Sequence, residues 1–515
     1  MKNIATVKKS TYFDSVTLMG VSKRLEKQEG IVKVSVSMGT ELNQGLLREA
    51  GLNTPETDAA GPNDLMIVVV CEDNHDEAEI LRLVEDALTR REAADAAHEA
   101  DPATIRTALH RTPDANLALI SVPGVYAGFE AKRALQAGLN VMIFSDNVSV
   151  EEEVALKKLA HEKGLLVMGP DCGTAVINGV GLAFANGLRR GEVGVVGASG
   201  TGMQEVTALL DCAGVGISQA IGTGGRDLSD AVGGVMTADA LSMLAADEQT
   251  KVLVVIAKSC AGKAAQKISA TLANIEKPTV LCFLESGAKV VAAGNVVVVD
   301  TLEDAAREAA RLAGADFDVE NEDVLFNEAA QGLPDMAETQ RYVRGIFCGG
   351  TLANECRKIF KKACPQASVF SNIAHEADEK YDGTQVKADL FLDMGDDEFT
   401  VGRAHPMIDP SIRNDRVLAE ATNENVGVVL FDVVLGYGAA RDPLDGLTQA
   451  IETAQAAVKE QGRHVIFLAH VLGTDSDPQS RTAVVDVLRK LGVIVAATNA
   501  QAARLCARLK KEMDK

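Results

Sequence analysis

Apolar runs recur along the chain, each followed by a Gly- or Asp-rich turn and then an amphipathic stretch. Ile31 to Met38 (IVKVSVSM) alternates with period two and predicts a half-buried strand, whereas Leu65 to Cys71 (LMIVVVC) is continuous and predicts a strand covered on both faces. With helices expected over Thr40–Ala50 and Asp76–Arg90, these make a small α/β unit over residues 1–93. Residues 94–112 are Ala- and acid-rich and read as a linker, partly helical. A second unit, 113–190, carries strands at Asn116–Val122, Asn140–Ser145 and Leu165–Met168 around a helix at Glu151–Lys163. The third, 191–314, opens on EVGVVGASGTGMQE and continues through strands at Val252–Ala257, Thr279–Phe283 and Asn295–Val299 to a helix at Leu302–Leu312. Residues 315–340 are acidic and weakly patterned and are expected to be a second linker. The last unit, 341–515, has strands near Gly345–Cys348, Leu390–Met394, Gly427–Phe431, His464–Leu468 and Val493–Ala497. Strand, turn and helix in this order predict an α/β fold of several three-layer domains with parallel sheets.

Composition narrows the function more than the fold. The 73 Asp and Glu against 51 Lys and Arg leave a net charge of −22, which argues against a nucleic-acid partner or an acidic membrane surface, since both need a basic footprint. There is no Trp, and with 14 Phe and 5 Tyr few rings are left for stacking on bases. No apolar run reaches the roughly 20 residues of a membrane span, and the first residues lack the apolar core of a signal peptide. The nine Cys are scattered with no CxxC pair, so reduced thiols in a cytoplasmic protein are expected. No HExxH or His/Cys cluster suggests a metal centre.

Candidate chemistry gathers at strand-to-helix turns. In Val193–Gly202 a buried strand enters Gly197-Ala-Ser199-Gly200-Thr201-Gly202 as a helix begins. Unpaired first-turn amides and the positive end of the helix dipole would cradle a phosphate or carboxylate there; Ser199 or Thr201 acting as a plain helix cap is the competing reading. The segment Ile221–Asp227 offers Gly224, Gly225 and Arg226 at the same expected sheet edge, against a surface Arg–Asp turn of little consequence. Gly349, Gly350 and Thr351 repeat the strand–Gly–helix logic, and Gly436, Gly438 and Arg441 follow another buried strand. His405, in the polar, Pro-containing run after Asp393-Met-Gly395, is the candidate acid, base or phosphate acceptor, with a hydrogen-bonded loop His as the alternative; His375 and His470 are weaker candidates. Cys172, in MGPDCGT, could be a nucleophile only beside a base or cation, and a buried thiol is the competing reading.

At these motifs the chain resembles the succinyl-CoA synthetase superfamily, specifically its FdrA-type branch of acyl-CoA synthetases. MGPDCGT (168–174) resembles the I-G-P-N-C-P-G segment that ends the CoA-binding domain of the synthetase α subunit, and VGVVGASGT resembles V-G-I-V-S-R-S-G-T of the next domain. IGTGGRD resembles its V-G-I-G-G-D loop; FLDMGDDEFTVGRAHPM and VLFDVVLGYGAARD resemble the β-subunit's carboxyl-terminal domain. The resemblance implies a CoA-binding-like Rossmann domain over 113–190, a flavodoxin-like ligase domain over 191–314 and a β-subunit-like CoA-ligase domain over 341–515. In that family two Gly-loop helices, one from each half, point at a phosphohistidine, which would place Ser199–Gly202 opposite Gly436–Arg441. Three departures accompany the match: the stretch corresponding to the phosphohistidine, Glu285–Asn295, holds no His; no residues are left for an ATP-grasp domain; and no Gly-rich opening loop precedes Asn116. The implied activity is an acyl-CoA synthetase-like reaction on acyl phosphate or CoA-type substrates, with nucleotide chemistry supplied by an accessory subunit or dispensed with. FdrA-type proteins are also associated with oxamate carbamoyl transfer in allantoin breakdown, so carbamoyl phosphate is the alternative substrate. A non-catalytic subunit that binds CoA or another anion is the third reading.

Overall fold

A computed structural model describes every residue except 1, 12, 14–17, 19–20, 23–24, 26–27, 29, 73–75, 96–101, 286, 292–293, 375, 377–378, 385–386 and 401–402. The chain divides into two units, Met1–Arg111 and Thr112–Lys515. In the first, Leu65–Cys71 is the central strand of a three-stranded sheet, antiparallel to Lys2–Lys8 on one side and to Ile31–Met38 on the other. Its continuous apolar run is explained by burial on both faces. Leu65, Ile67 and Val69 join one cluster, while Met66 and Val68 join another with Leu47 and Ala60. Thr40 caps the helix Glu41–Glu49, and the next long helix, Glu77–Asp95, runs past the expected domain end at 93. Residues 105–111 form a further helical segment.

The second unit holds three sheets. Leu117–Ile120, Asn140–Ile143 and Val167–Met168 form a small parallel sheet. A seven-stranded sheet runs Val296–Val299, Thr279–Phe283, Val252–Ala257, Arg190–Gly197, Ile217–Gly222, Thr174–Ile177, Val180–Ala183, with only Thr174–Ile177, in its hairpin with Val180–Ala183, running antiparallel to the rest. That hairpin, assigned by sequence to the 113–190 unit, extends the neighbouring sheet by pairing Val176 with Ala220. A six-stranded parallel sheet runs Val369–Phe370, Asp389–Asp393, Tyr342–Phe347, Val426–Val434, Ile466–Leu472, Ile494–Ala496.

One hydrophobic core spans both large sheets, uniting Val193, Val195 and Met203 with Val343, Phe347, Leu352 and Leu430. The helix Gly200–Cys212 lies within it, and nearly every side chain from Gly202 to Asp211 is buried, as expected of a helix wrapped by protein on all sides.

Residues 315–340 depart from the expected linker. Glu322–Ala330 is a helix capped by Asn321, with Leu325 and Ala329, four residues apart, buried in the core. Its acidic first turn meets cations of the C-terminal helix Asn499–Met513: Arg504 Nε lies 2.6 Å from Glu322, an Arg508 amine 2.9 Å from Asp323, and the Arg508 guanidinium 4.0 Å over the Phe326 ring. The acidic run looks unstructured only until those distant arginines are placed. Leu325→Ala is expected to cost about 2–4 kcal/mol, read as a lower urea midpoint, where a true linker would show no change.

Candidate functional site

Strands Arg190–Gly197 and Tyr342–Phe347 belong to different sheets, yet each ends in a Gly-containing loop that starts a helix, Gly200–Cys212 and Gly350–Ala363. The two helix starts face each other. Ser199 caps the first by accepting the Gly202 N–H at 3.2 Å, and its Oγ lies 2.7 Å from Thr351 Oγ1 in the first turn of the second. Little room separates them: a Cβ on Gly202 would stand 3.2 Å from Thr351 Cγ2, and one on Gly349 3.0 Å from Thr201 Cγ2. Among the described residues, no hydrogen-bond acceptor meets the amides of Gly200 and Thr201 or those of Gly350, Thr351 and Leu352. Five amide donors and the positive ends of two helix dipoles therefore converge.

Carboxylates and a lysine frame this cradle. Asp432, in strand Val426–Val434, accepts the Cys348 and Gly349 N–H groups at 2.7 and 2.9 Å, fixing the loop that launches the second helix; Arg413 donates to its carbonyl at 2.9 Å. Asp393 ends strand Asp389–Asp393 and is 8% exposed. Its Oδ1 accepts the Gly395 N–H at 2.9 Å, while Oδ2 stands where a Cβ on Gly350 would lie. Burial pushes the Asp393 carboxyl up to about 7, against the opposing charge of Lys258. Lys258 is exposed and follows strand Val252–Ala257. Ile256 accepts the Ala198 N–H at 2.9 Å, and the Lys258 carbonyl accepts the Glu285 N–H at 2.7 Å, so Lys258 is seated beside the Ser199 loop. Glu285 in turn accepts from Asn354 of the second helix at 2.7 Å.

The sequence candidates divide. Ser199, Gly200, Thr201, Gly202, Gly349, Gly350 and Thr351 come together. Gly197 serves packing: a Cβ there would strike Met203. Gly224, at φ +84°, makes room for the Pro170 carbonyl, and Gly225 is exposed. Arg226 is tied to protein, its Nε 2.9 Å from Glu153 and an amine donating to the Val148 carbonyl at 2.8 Å. The Gly436–Arg441 segment does not oppose Ser199–Gly202. No helix starts there, since the next begins at Leu447; Tyr437 N–H donates to the Ala185 carbonyl at 2.7 Å, Gly436 and Gly438 pack on the 183–186 turn, and Arg441 is exposed.

His405 stands at the rim, its ring centroid 6.0 Å from that of Phe184 and its Nε2 against Gly395. Its Nδ1 accepts the Met407 N–H at 3.2 Å, and burial pushes its pKa down to about 4, so the imidazole is neutral at neutral pH. His470 is buried with its Nε2 2.7 Å from Glu205, tying the first Gly-loop helix to strand Ile466–Leu472. His375 lies outside the described residues. Cys172 is buried and its thiol pushed up to about 12 by burial, the opposite of an activated nucleophile.

Lys258, Asp432, Glu285 and Asn354 were not among the candidates, and Asp393 was noted only as part of a polar loop. Asp432 did leave a signal, a lone acid inside the apolar run VVLFDVV; Lys258 left only its place at a strand end.

Known proteins match this architecture. Over 499 residues, 96% of each chain, the sequence is 44% identical to the uncharacterized protein YahF of Escherichia coli (strain K12). The chain belongs to the FdrA-type branch of the succinyl-CoA synthetase superfamily. A CoA-ligase family model matches residues 346–509 of this FdrA-type chain, and a CoA binding domain model matches 189–285. The CoA-binding match falls on the seven-stranded sheet. The succinate–CoA ligase [ADP-forming] subunit alpha-2 of Trichomonas vaginalis is 30% identical over 175 residues, 32% of this chain and 55% of that subunit. The ATP citrate lyase of Methanothrix soehngenii, solved with citrate and coenzyme A, overlays 80% of this chain and 84% of its own at 12% identity and a TM-score of 0.36, too loosely to carry an argument. Residues 1–104 match the AllF heavy metal-associated domain. Cys71 is the sole Cys of residues 1–104 and is fully buried, and among the described residues no group of three or more His, Cys, Asp or Glu could hold an ion. No helix of the described residues is long and apolar enough to cross a membrane.

Proposed function

We propose that the FdrA-type chain carries out CoA-ligase-type acyl transfer, with the phosphate of an acyl phosphate or of CoA bound between the two Gly-loop helices. The observation that carries this reading is the 2.7 Å approach of Ser199 and Thr351, which brings two helix N-termini to one point. Amide donors fixed in advance by both helices favour the developing charge of a departing phosphate without reorganising, and Lys258 adds a cation at the open side. Because Glu285–Asn295 contains no His, the phosphoryl group arrives on the substrate or from an accessory chain rather than from the family's His in this segment. The same observation favours carbamoyl phosphate as a second substrate, since it too arrives already phosphorylated.

The test is calorimetric titration of the full chain with acetyl phosphate, carbamoyl phosphate and CoA, followed by phosphate-release assays with acceptors. Thr351→Val, which removes one hydroxyl, is expected to weaken binding about tenfold, a loss of the size expected for a hydrogen bond to a charged group. Release of phosphate from carbamoyl phosphate with oxamate selects the second substrate. Binding without turnover in the presence of accessory chains makes the protein an anion-binding subunit. Unchanged affinity in Thr351→Val would show that the paired helix starts are structural.

A further inference from the structure

The reading that His405 handles protons at this site leaves unexplained why a different acid is buried against the cradle. Asp393 is 8% exposed, with its Oδ1 committed to the Gly395 N–H and its Oδ2 making no hydrogen bond to any described residue. That free oxygen meets the second helix at Gly350, its first residue, whose missing side chain leaves the space. The surroundings are otherwise mostly acidic. Asp432 lies two strands from Asp393, across Tyr342–Phe347, with its carboxylate consumed by two amides, and Asp396 lies on the same loop as Asp393. Lys258 is a cation from the other half; among the described residues Arg413 reaches only the Asp432 carbonyl, Asn414, the Cys348 sulfur and the Pro443 carbonyl, and Cys348 and His405 pack alongside as neutral groups. An ionised carboxylate here would repel any anion on the adjacent amides. A neutral one can carry its proton on Oδ2, the oxygen that lies against Gly350 at the start of the second helix.

We propose that Asp393 works as a neutral acid, donating a hydrogen bond from Oδ2 to an oxygen of a phosphate-type anion seated on the Gly350 and Ser199 helix starts, and that loss of this proton weakens the anion's hold. This rests on the anion-site reading above and goes beyond it by assigning the proton to a residue. The substrate class is a tetrahedral oxyanion, taken up together with one solvent proton whenever the carboxyl is ionised beforehand. Burial that holds the carboxyl at about 7 sets the sign: binding is strongest below pH 7 and weakens as pH rises through it. His405, held near 4, stays neutral throughout and cannot produce the same profile.

Sulfate is the probe, because its own charge is constant from pH 6 to 9. Calorimetric titration of the full chain should show affinity falling toward about tenfold per pH unit above 7, with uptake of one proton measured in two buffers of different ionisation enthalpy. Asp393→Asn keeps a donor and removes the titration, so its affinity should be flat across the range and exceed the wild-type value at pH 8. A flat wild-type profile, or a slope that survives in Asp393→Asn, overturns the role of Asp393 while sulfate binding itself leaves the anion site standing. No binding of sulfate or phosphate at any pH overturns both. Circular dichroism and the urea midpoint of Asp393→Asn confirm that the variant compared is folded, and His405→Gln, which should keep the slope, would overturn the assignment by abolishing it.

Discussion

Gly350→Val is expected to weaken binding of phosphate or an acyl phosphate by about 100-fold, the loss expected when more than one amide hydrogen bond to a charged group is disturbed. The reason is spatial. A Cβ at residue 350 would fall on the Asp393 carboxylate, a buried group held by its strand end, so neither side yields cheaply. Either Asp393 is forced out of place or the first turn of the helix moves, and both shift the Gly350, Thr351 and Leu352 amides from the Thr201 side of the cradle. The rest of the helix is anchored by Leu352, Ala353, Cys356 and Phe360 in the core, so the far-ultraviolet spectrum should be preserved. Wild-type affinity in this variant would remove the second helix from the site.

Lys157→Met should have the largest effect on stability, about 3–5 kcal/mol, because it breaks a buried charge cluster rather than removing a surface pair. Lys157 is 1% exposed and donates to Glu153 at 2.7 Å, to Asp227 at 2.9 Å and to the Thr223 carbonyl at 2.8 Å. Arg226 bridges to the other Glu153 oxygen, and Asp227 also receives the Thr237 N–H and hydroxyl at 2.9 and 2.7 Å. Methionine matches the length of the stem but strands the carboxylates. The urea midpoint should fall, and Asp227→Asn in the same chain should recover part of the loss by removing one stranded charge. Additive losses in the double variant would show that the two residues do not act as a pair. The cluster also explains Arg226, whose guanidinium pins the Gly224–Asp227 loop to helix Val150–Lys163 instead of reaching for a ligand.

Strand positions in both units were legible because strands buried on both faces are written as apolar runs with few polar interruptions, and the antiparallel Leu65–Cys71 shows it as well as the parallel Val252–Ala257 and Val426–Val434. The Ser199 and Gly350 helix starts were legible for a related reason, since Gly and Ser after such a run mark a strand-to-helix turn. The helix Glu322–Ala330 was not, because what stabilises its acidic face is Arg504 and Arg508, nearly 200 positions along the chain.

The pairing of loops was equally hidden. Three Gly loops offered themselves as partners for Ser199–Gly202, and sequence resemblance favoured Gly436–Arg441 over Gly349–Thr351. The order of strands in two separate sheets decides which loop ends opposite which, and that order is a long-range property. The same holds for the acids. Residue type alone made His405 the group that titrates near neutrality, since an unperturbed imidazole does. Desolvation reverses this, lowering His405 and raising Asp393, because burial penalises the charged form of each: the cation in one case, the anion in the other. The sequence by itself determined the α/β layers, the family and the amide-rich helix starts, all of which follow from local pattern. Only the tertiary structure decided which two starts meet, that Arg226 is spent on Glu153, and that Asp393 rather than His405 holds its proton near neutral pH, because each depends on groups brought together from distant parts of the chain.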